Sequence, residues 1–81
     1  MFYVYLIKSI EHPEQRYIGF TEDLKQRIKD HNDELSPHTK KYAPWKLVTY
    51  LAFSDKYAAL EFETYLKGGS GFAFANKRLW K

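Results

Sequence analysis

The chain contains no cysteine. Disulfides and thiolate metal sites are therefore excluded, and the composition fits a cytoplasmic protein. No apolar run reaches the roughly 18 residues that cross a membrane, so no membrane association is expected. The opening residues Met1-Phe2-Tyr3-Val4 carry no basic segment, which is not the pattern of a secretory leader. Internal repeats and low-complexity segments are lacking. Gly68-Gly69-Ser70-Gly71 follows a helical stretch instead of preceding one, so it lacks the context of a phosphate-binding loop. Neither a Ser-His-Asp pattern nor the multi-histidine spacing of a zinc site is present.

What the 81 residues do contain is aromatic mass: seven Tyr, six Phe and two Trp. A single domain over residues 1–81 suits this length, and its small core gains most area per residue from aromatics. The net charge of +3 is compatible with a polyanionic partner, without pointing to one strongly.

Two segments, Phe2-Tyr3-Val4-Tyr5-Leu6-Ile7 and Tyr17-Ile18-Gly19-Phe20, are aromatic and β-branched with no helical period. They read as strands over 2–9 and 16–20, joined through a polar turn at 10–15 that holds Pro13. The first is apolar at odd and even positions alike, as a central strand covered on both faces would be. A hairpin here brings Tyr5 and Tyr17 towards each other. A pairing of Tyr5 opposite Tyr17 would put both rings on one face, but the sequence does not fix the register.

A helix follows from Thr21, its expected N-cap, to His31 or Asn32, with Glu22 and Asp23 in the first turn and Leu24 and Ile28 as its core stripe. Residues 33–45 hold two prolines and read as a long irregular connection. A third strand spans 46–53. Ser54 or Asp55 caps a second helix over 56–67, with Ala59, Phe62, Leu66 and Leu60 facing the core. Gly68 is placed to end it in the left-handed conformation. A short third helix over 72–80 would put Phe72, Ala75 and Leu79 on one face. The order β-β-α-β-α-α implies an α+β fold: a small three-stranded, mostly antiparallel sheet flanked by helices.

Several polar residues stand where packing does not ask for them. Arg27 and His31 lie one helical turn apart, with Arg27 beside the apolar stripe. They are either a site or a snorkelling arginine beside an exposed histidine. Glu63 falls inside the stripe formed by Ala59, Phe62 and Leu66. A carboxylate there sits at the edge in water, pairs with a cation such as Arg27 or a lysine, or holds a metal. A cross-strand tyrosine pair is ordinary sheet packing, and a phenol with a pKa near 10 needs a nearby cation to act as a base. Lys40, Lys41 and the basic C-terminal residues are solvated lysines or phosphate contacts.

Taken together, Tyr3-Val4-Tyr5, Tyr17-Ile18-Gly19, Thr21, Leu24, Arg27, His31, the segment Thr39 to Val48 with Pro44-Trp45-Lys46-Leu47-Val48, and Ala59 to Gly71 with Glu63 resemble the GIY-YIG nuclease family, in particular its small stand-alone bacterial branch. Tyr3 stands where the family name has its first glycine. The resemblance implies an endonuclease that hydrolyses phosphodiester bonds of nucleic acid, DNA favoured, in repair, recombination or nucleic-acid processing. It implies one divalent ion, Mg²⁺ or Mn²⁺, bound by the residue matching Glu63. Tyr5 would help activate the attacking water, with Tyr17 beside it, His31 supporting the tyrosine and Arg27 stabilising phosphate charge. Asn76 matches, by its place in the last segment, an asparagine that sometimes completes the site. Lys40, Lys41 and Lys67 are further candidates for substrate contact. Larger relatives carry added recognition domains, so low sequence specificity or a protein partner supplying it is expected. The alternatives are a nucleic-acid-binding module without catalysis and a protein-interaction module on the same fold.

Overall fold

The computed structural model describes residues 1–35 and 37–81. Position 36, within the expected irregular connection, lies outside the described residues. Strands β1 (Phe2–Ser9) and β2 (Arg16–Thr21) precede helix α1 (Leu24–Asn32). A single 3-10 turn (Lys40–Tyr42), strand β3 (Trp45–Phe53) and helices α2 (Lys56–Leu66) and α3 (Gly69–Arg78) complete the chain. The sheet order is β2-β1-β3, and both pairs are antiparallel. The expected α+β architecture is therefore the one observed.

β1 is the central strand because it has no face to give to water. Val4, Tyr5, Leu6 and Ile7 are all fully buried. Val4 and Leu6 pack with Ala59, Leu66, Ala75 and Trp80 beneath α2 and α3. Tyr5 and Ile7 point the other way, against Trp45, Tyr17, Leu24 and Ile28. Alternation along one strand thus separates two small cores.

The structure fixes the register that the sequence left open. Tyr5 lies opposite Gly19, and Tyr17 lies opposite Ile7. The two tyrosines are diagonal neighbours, still on one face because their offset is even. A Cβ at position 19 would overlap the ring and hydroxyl of Tyr5. Glycine there lets the Tyr5 ring lie flat across β2.

Other boundaries move for local reasons. Thr21 stays in β2, buried, and its hydroxyl accepts the Asp23 amide at 3.0 Å. That short turn shifts the cap to Asp23, whose carboxylate accepts the Gln26 amide at 3.1 Å. Glu22 and Asp23 therefore precede the helix and do not occupy its first turn. At α2 the choice falls on Asp55, which accepts the Ala58 amide at 2.8 Å.

Gly68 is extended, with φ −158°, and the left-handed residue is Gly69, with φ 53°. α3 therefore begins three residues earlier than the apolar pattern implied. Gly71 is buried against the Tyr65 carbonyl, where a Cβ would not fit. Packing through Gly71 and Ala75 turns Phe72 outward, 58% exposed, so it is not the core residue expected. Leu60 is only half-buried and belongs to neither core cluster.

Candidate active site

α1 delivers the first components. Leu24 and Ile28 seat it on the Tyr5 side of the sheet. His31 follows at i+7 from Leu24 and is 1% exposed. The reading of His31 as an exposed histidine is therefore wrong. Its position on the Leu24-Ile28 stripe was the signal that marked it for burial.

Burial is possible because both ring nitrogens find partners. The Tyr5 hydroxyl lies 2.7 Å from His31 Nε2. On the other side of the ring, Thr39 Oγ1 lies 2.6 Å from His31 Nδ1. Thr39 is fully buried, and its carbonyl accepts the Trp45 indole N–H at 2.8 Å. The Trp45 amide donates to Asn32 Oδ1 at 2.6 Å, closing the connection back onto the end of α1. Among the described residues, no buried side-chain nitrogen or oxygen lacks a partner. The long connection thus has a physical role, which is to supply Thr39 to His31. The sequence placed Thr39 at the start of a family-like segment but gave it no role, because a lone threonine in an irregular stretch carries no periodic signal.

Tyr17 completes a triangle of rings. Its centroid is 6.3 Å from that of Tyr5 and 5.3 Å from that of His31, while Tyr5 and His31 are 5.6 Å apart. Burial pushes the Tyr5 hydroxyl up to about 12, and Tyr17 beside it adds to the rise. Arg27 opposes this by hydrogen bonding and by charge, and Glu63 reinforces it. His31 is pushed below its ordinary 6.5, by burial first and by the Arg27 charge second, against a smaller opposite pull from Asp30. The phenol is therefore held protonated and the imidazole neutral at physiological pH. A protonated phenol donating to Nε2 leaves Nδ1–H to donate to Thr39.

Arg27 and Glu63, from two different helices, thus both act on Tyr5. Arg27 is exposed at the surface. The Glu63 side chain is only 19% exposed and pairs with Lys67 Nζ at 3.1 Å, the lysine pairing that the stripe position suggested. The remaining candidates lie further out. Asn76 Oδ1 accepts from Arg16 Nη1 at 2.9 Å. Lys40 and Lys41 are exposed on the 3-10 turn, with Lys41 Nζ 5.6 Å above the Tyr42 ring.

Among the described residues, no three His, Cys, Asp or Glu side chains gather to cage a metal. The donor at hand is one half-buried carboxylate. That set suits a Mg²⁺-like ion, which keeps several waters and takes substrate phosphate oxygens. It does not suit zinc, which wants four firm protein ligands or three plus a water.

The small antiparallel sheet thus buries a Tyr5-His31-Thr39 chain on which the charges of Arg27 and Glu63 both bear. The family model described as the GIY-YIG catalytic domain matches residues 1–77, and the chain belongs to that family. The chain is 42% identical over 67 residues to structure-specific endonuclease subunit SLX1 of Candida dubliniensis, covering 74% of this chain and 23% of that protein. The SLX1 homolog of Giardia intestinalis is 38% identical over 65 residues, covering 75% of this chain and 18% of that protein. The chain thus spans about a fifth of the SLX1 proteins it matches.

Coverage is more even with small bacterial proteins. A UPF0213 protein of Clostridium perfringens is 38% identical over 68 residues, covering 83% of this chain and 71% of that protein. The solution structure of a UPF0213 protein from Bacillus halodurans superposes with a TM-score of 0.54 at 29% identity, over 94% of this chain and 81% of that one. The likeness is thus to the small stand-alone bacterial branch of the family.

Proposed function

We propose that this chain is a metal-dependent endonuclease that hydrolyses DNA phosphodiester bonds in repair, recombination or another nucleic-acid process. The observation that carries this reading is the 2.7 Å contact between the Tyr5 hydroxyl and His31 Nε2 in a buried cluster that Arg27 and Glu63 both influence. Packing alone does not call for that combination. Family membership and the SLX1 relatives support the nuclease reading.

Tyr5 on its own is a poor base, because its hydroxyl is held up at about 12. His31 solves that problem. As the phenol oxygen takes a proton from water, the phenol's own proton passes to Nε2, and Nδ1–H stays bonded to Thr39. The hydroxide so formed attacks phosphorus, and the departing oxygen takes its proton from solvent. Arg27 draws in the phosphate and offsets the charge gathering on its oxygens. Tyr17 packs its ring against those of Tyr5 and His31 and holds the pair in place. A divalent ion at Glu63 would add positive charge on the substrate oxygens. Glu63 would hold that ion in place of Lys67, one turn away, leaving the lysine to contact a phosphate.

The test is cleavage of flap, branched, duplex and single-stranded DNA with Mg²⁺ or Mn²⁺. Glu63→Gln and Arg27→Ala are expected to lower the rate by at least a hundredfold with the fold intact by circular dichroism. No cleavage of any such substrate with any divalent ion would refute the reading. Unchanged DNA binding by the Glu63→Gln protein, with no cleavage by the wild type, would favour a binding module instead.

A further inference from the structure

A cavity of about 700 Å³ opens between the start of β2 and the facing ends of α2 and α3. That is within the roughly 300–1,000 Å³ range of sites that hold small ligands. Arg16, Tyr17, Lys67, Phe72 and Trp80 contribute to its lining, with Glu14 also present. We propose that this cavity receives an unpaired base of the substrate strand, stacked on Phe72 and the Arg16 guanidinium. The proposal rests on the nuclease reading and assigns that site a substrate with unpaired nucleotides.

Four observations support it. The Arg16 guanidinium lies 4.8 Å above the Trp80 ring, and Asn76 holds one of its nitrogens. It is thus a planar cation held by a ring and an amide yet exposed to solvent, and such a plane stacks well on a base. Among the described residues it has no carboxylate partner, so its charge is open to a phosphate. Glu14 lies nearest His12, at 3.9 Å. Phe72 is an apolar ring left 58% exposed at the cavity, where the packing of Gly71 turned it. Finally, the cavity shares residues with the candidate active site: Tyr17 belongs to the ring triangle, and Lys67 is the partner of Glu63.

A base inside a duplex has both faces covered by its neighbours and cannot reach such a platform. A base at a flap, branch or single-stranded stretch can, and stacking on an aromatic is tolerant of sequence. This accounts for asparagine in the last segment, which secures Arg16 at 2.9 Å instead of facing the ring triangle.

The experiment measures binding of hexathymidylate to the whole protein in EDTA, so that no cleavage occurs. Compared with it are the same backbone with abasic residues and a duplex of equal length. Loss of the bases is expected to weaken binding about tenfold, as is Phe72→Ala, while Phe72→Trp restores it. The indole N–H resonance of Trp80 is expected to shift on binding and that of Trp45, in the other core, to stay. Equal affinity for the abasic strand, or no effect of Phe72→Ala, would overturn the proposal, as would no binding at all. The two readings fail separately. Base-dependent binding without cleavage under any metal refutes the nuclease reading and keeps the pocket. Cleavage with base-independent binding does the reverse.

Discussion

Thr39 has the least conspicuous sequence context of any residue in the buried cluster, yet His31 depends on it. Without its hydroxyl, buried His31 Nδ1 loses its 2.6 Å partner. Thr39→Val leaves a polar group unpaired and is expected to destabilise the protein by about 1–3 kcal/mol. Its kinetic signature separates positioning from simple stability. At temperatures where the variant is fully folded, the cleavage rate should still fall at least tenfold, and Thr39→Ser should restore it. Tyr5→Phe removes the oxygen itself and is expected to abolish measurable cleavage; it keeps the ring but leaves buried His31 Nε2 unpaired, at a cost of about 1–3 kcal/mol. Retained cleavage in Tyr5→Phe would assign water activation to another group.

Among the elements, the contacts that set geometry are made by glycines more than by large side chains. Gly19 lets the Tyr5 ring cross β2, and Gly71 lets α3 reach the end of α2. Alanine at either position overlaps existing atoms. At position 19 the obstacle is a side chain that can shift, so Gly19→Ala is expected to cost about 1–3 kcal/mol and to displace the Tyr5 hydroxyl from His31. At position 71 the obstacle is the Tyr65 carbonyl, and Gly71→Ala should cost more and loosen α3. Gly68→Ala is the control, because nothing lies near position 68 and its backbone is extended. Chemical denaturation of the three variants gives the order directly.

The same elements show how far the sequence could be read. The central place of β1 was legible because both of its faces are apolar. The offset of Tyr5 from Tyr17 was not, because a two-residue period allows any even slip. The cap at Asp23 and the left-handed residue at Gly69 differ from Thr21 and Gly68 through side-chain and backbone turns of one or two residues, which periodicity does not resolve. His31 was legible in principle, as the third member of the Leu24-Ile28 stripe. Thr39 was not, because its partner is 8 residues away across an irregular connection.

For the molecule as a whole, the buried histidine ties stability to pH. The folded protein holds His31 below 6.5, so between that folded value and 6.5 the unfolded chain binds more protons. The His31 contribution to stability is therefore complete above 6.5 and is lost as pH falls through the folded value. Tyr5 acts at the alkaline end, where its contribution is complete below 10 and is lost as pH rises towards about 12. Denaturation midpoints measured across these ranges should fall at both ends. His31→Gln should flatten the acid limb, and an unchanged limb would place the titration elsewhere.

The chain of bonds from Asn32 through Trp45 and Thr39 to His31 also makes the connection a proton-sensitive clasp. Burial is the main cause that holds the imidazole below its ordinary 6.5, and Thr39, bonded to Nδ1 and itself buried, is part of that burial. A proton on His31 favours release of that segment, and release restores the affinity of His31 for the proton, because the two are thermodynamically reciprocal. Mild acid would then unlatch the segment around Thr39 before it melts the sheet, leaving a folded protein with its proton relay disassembled.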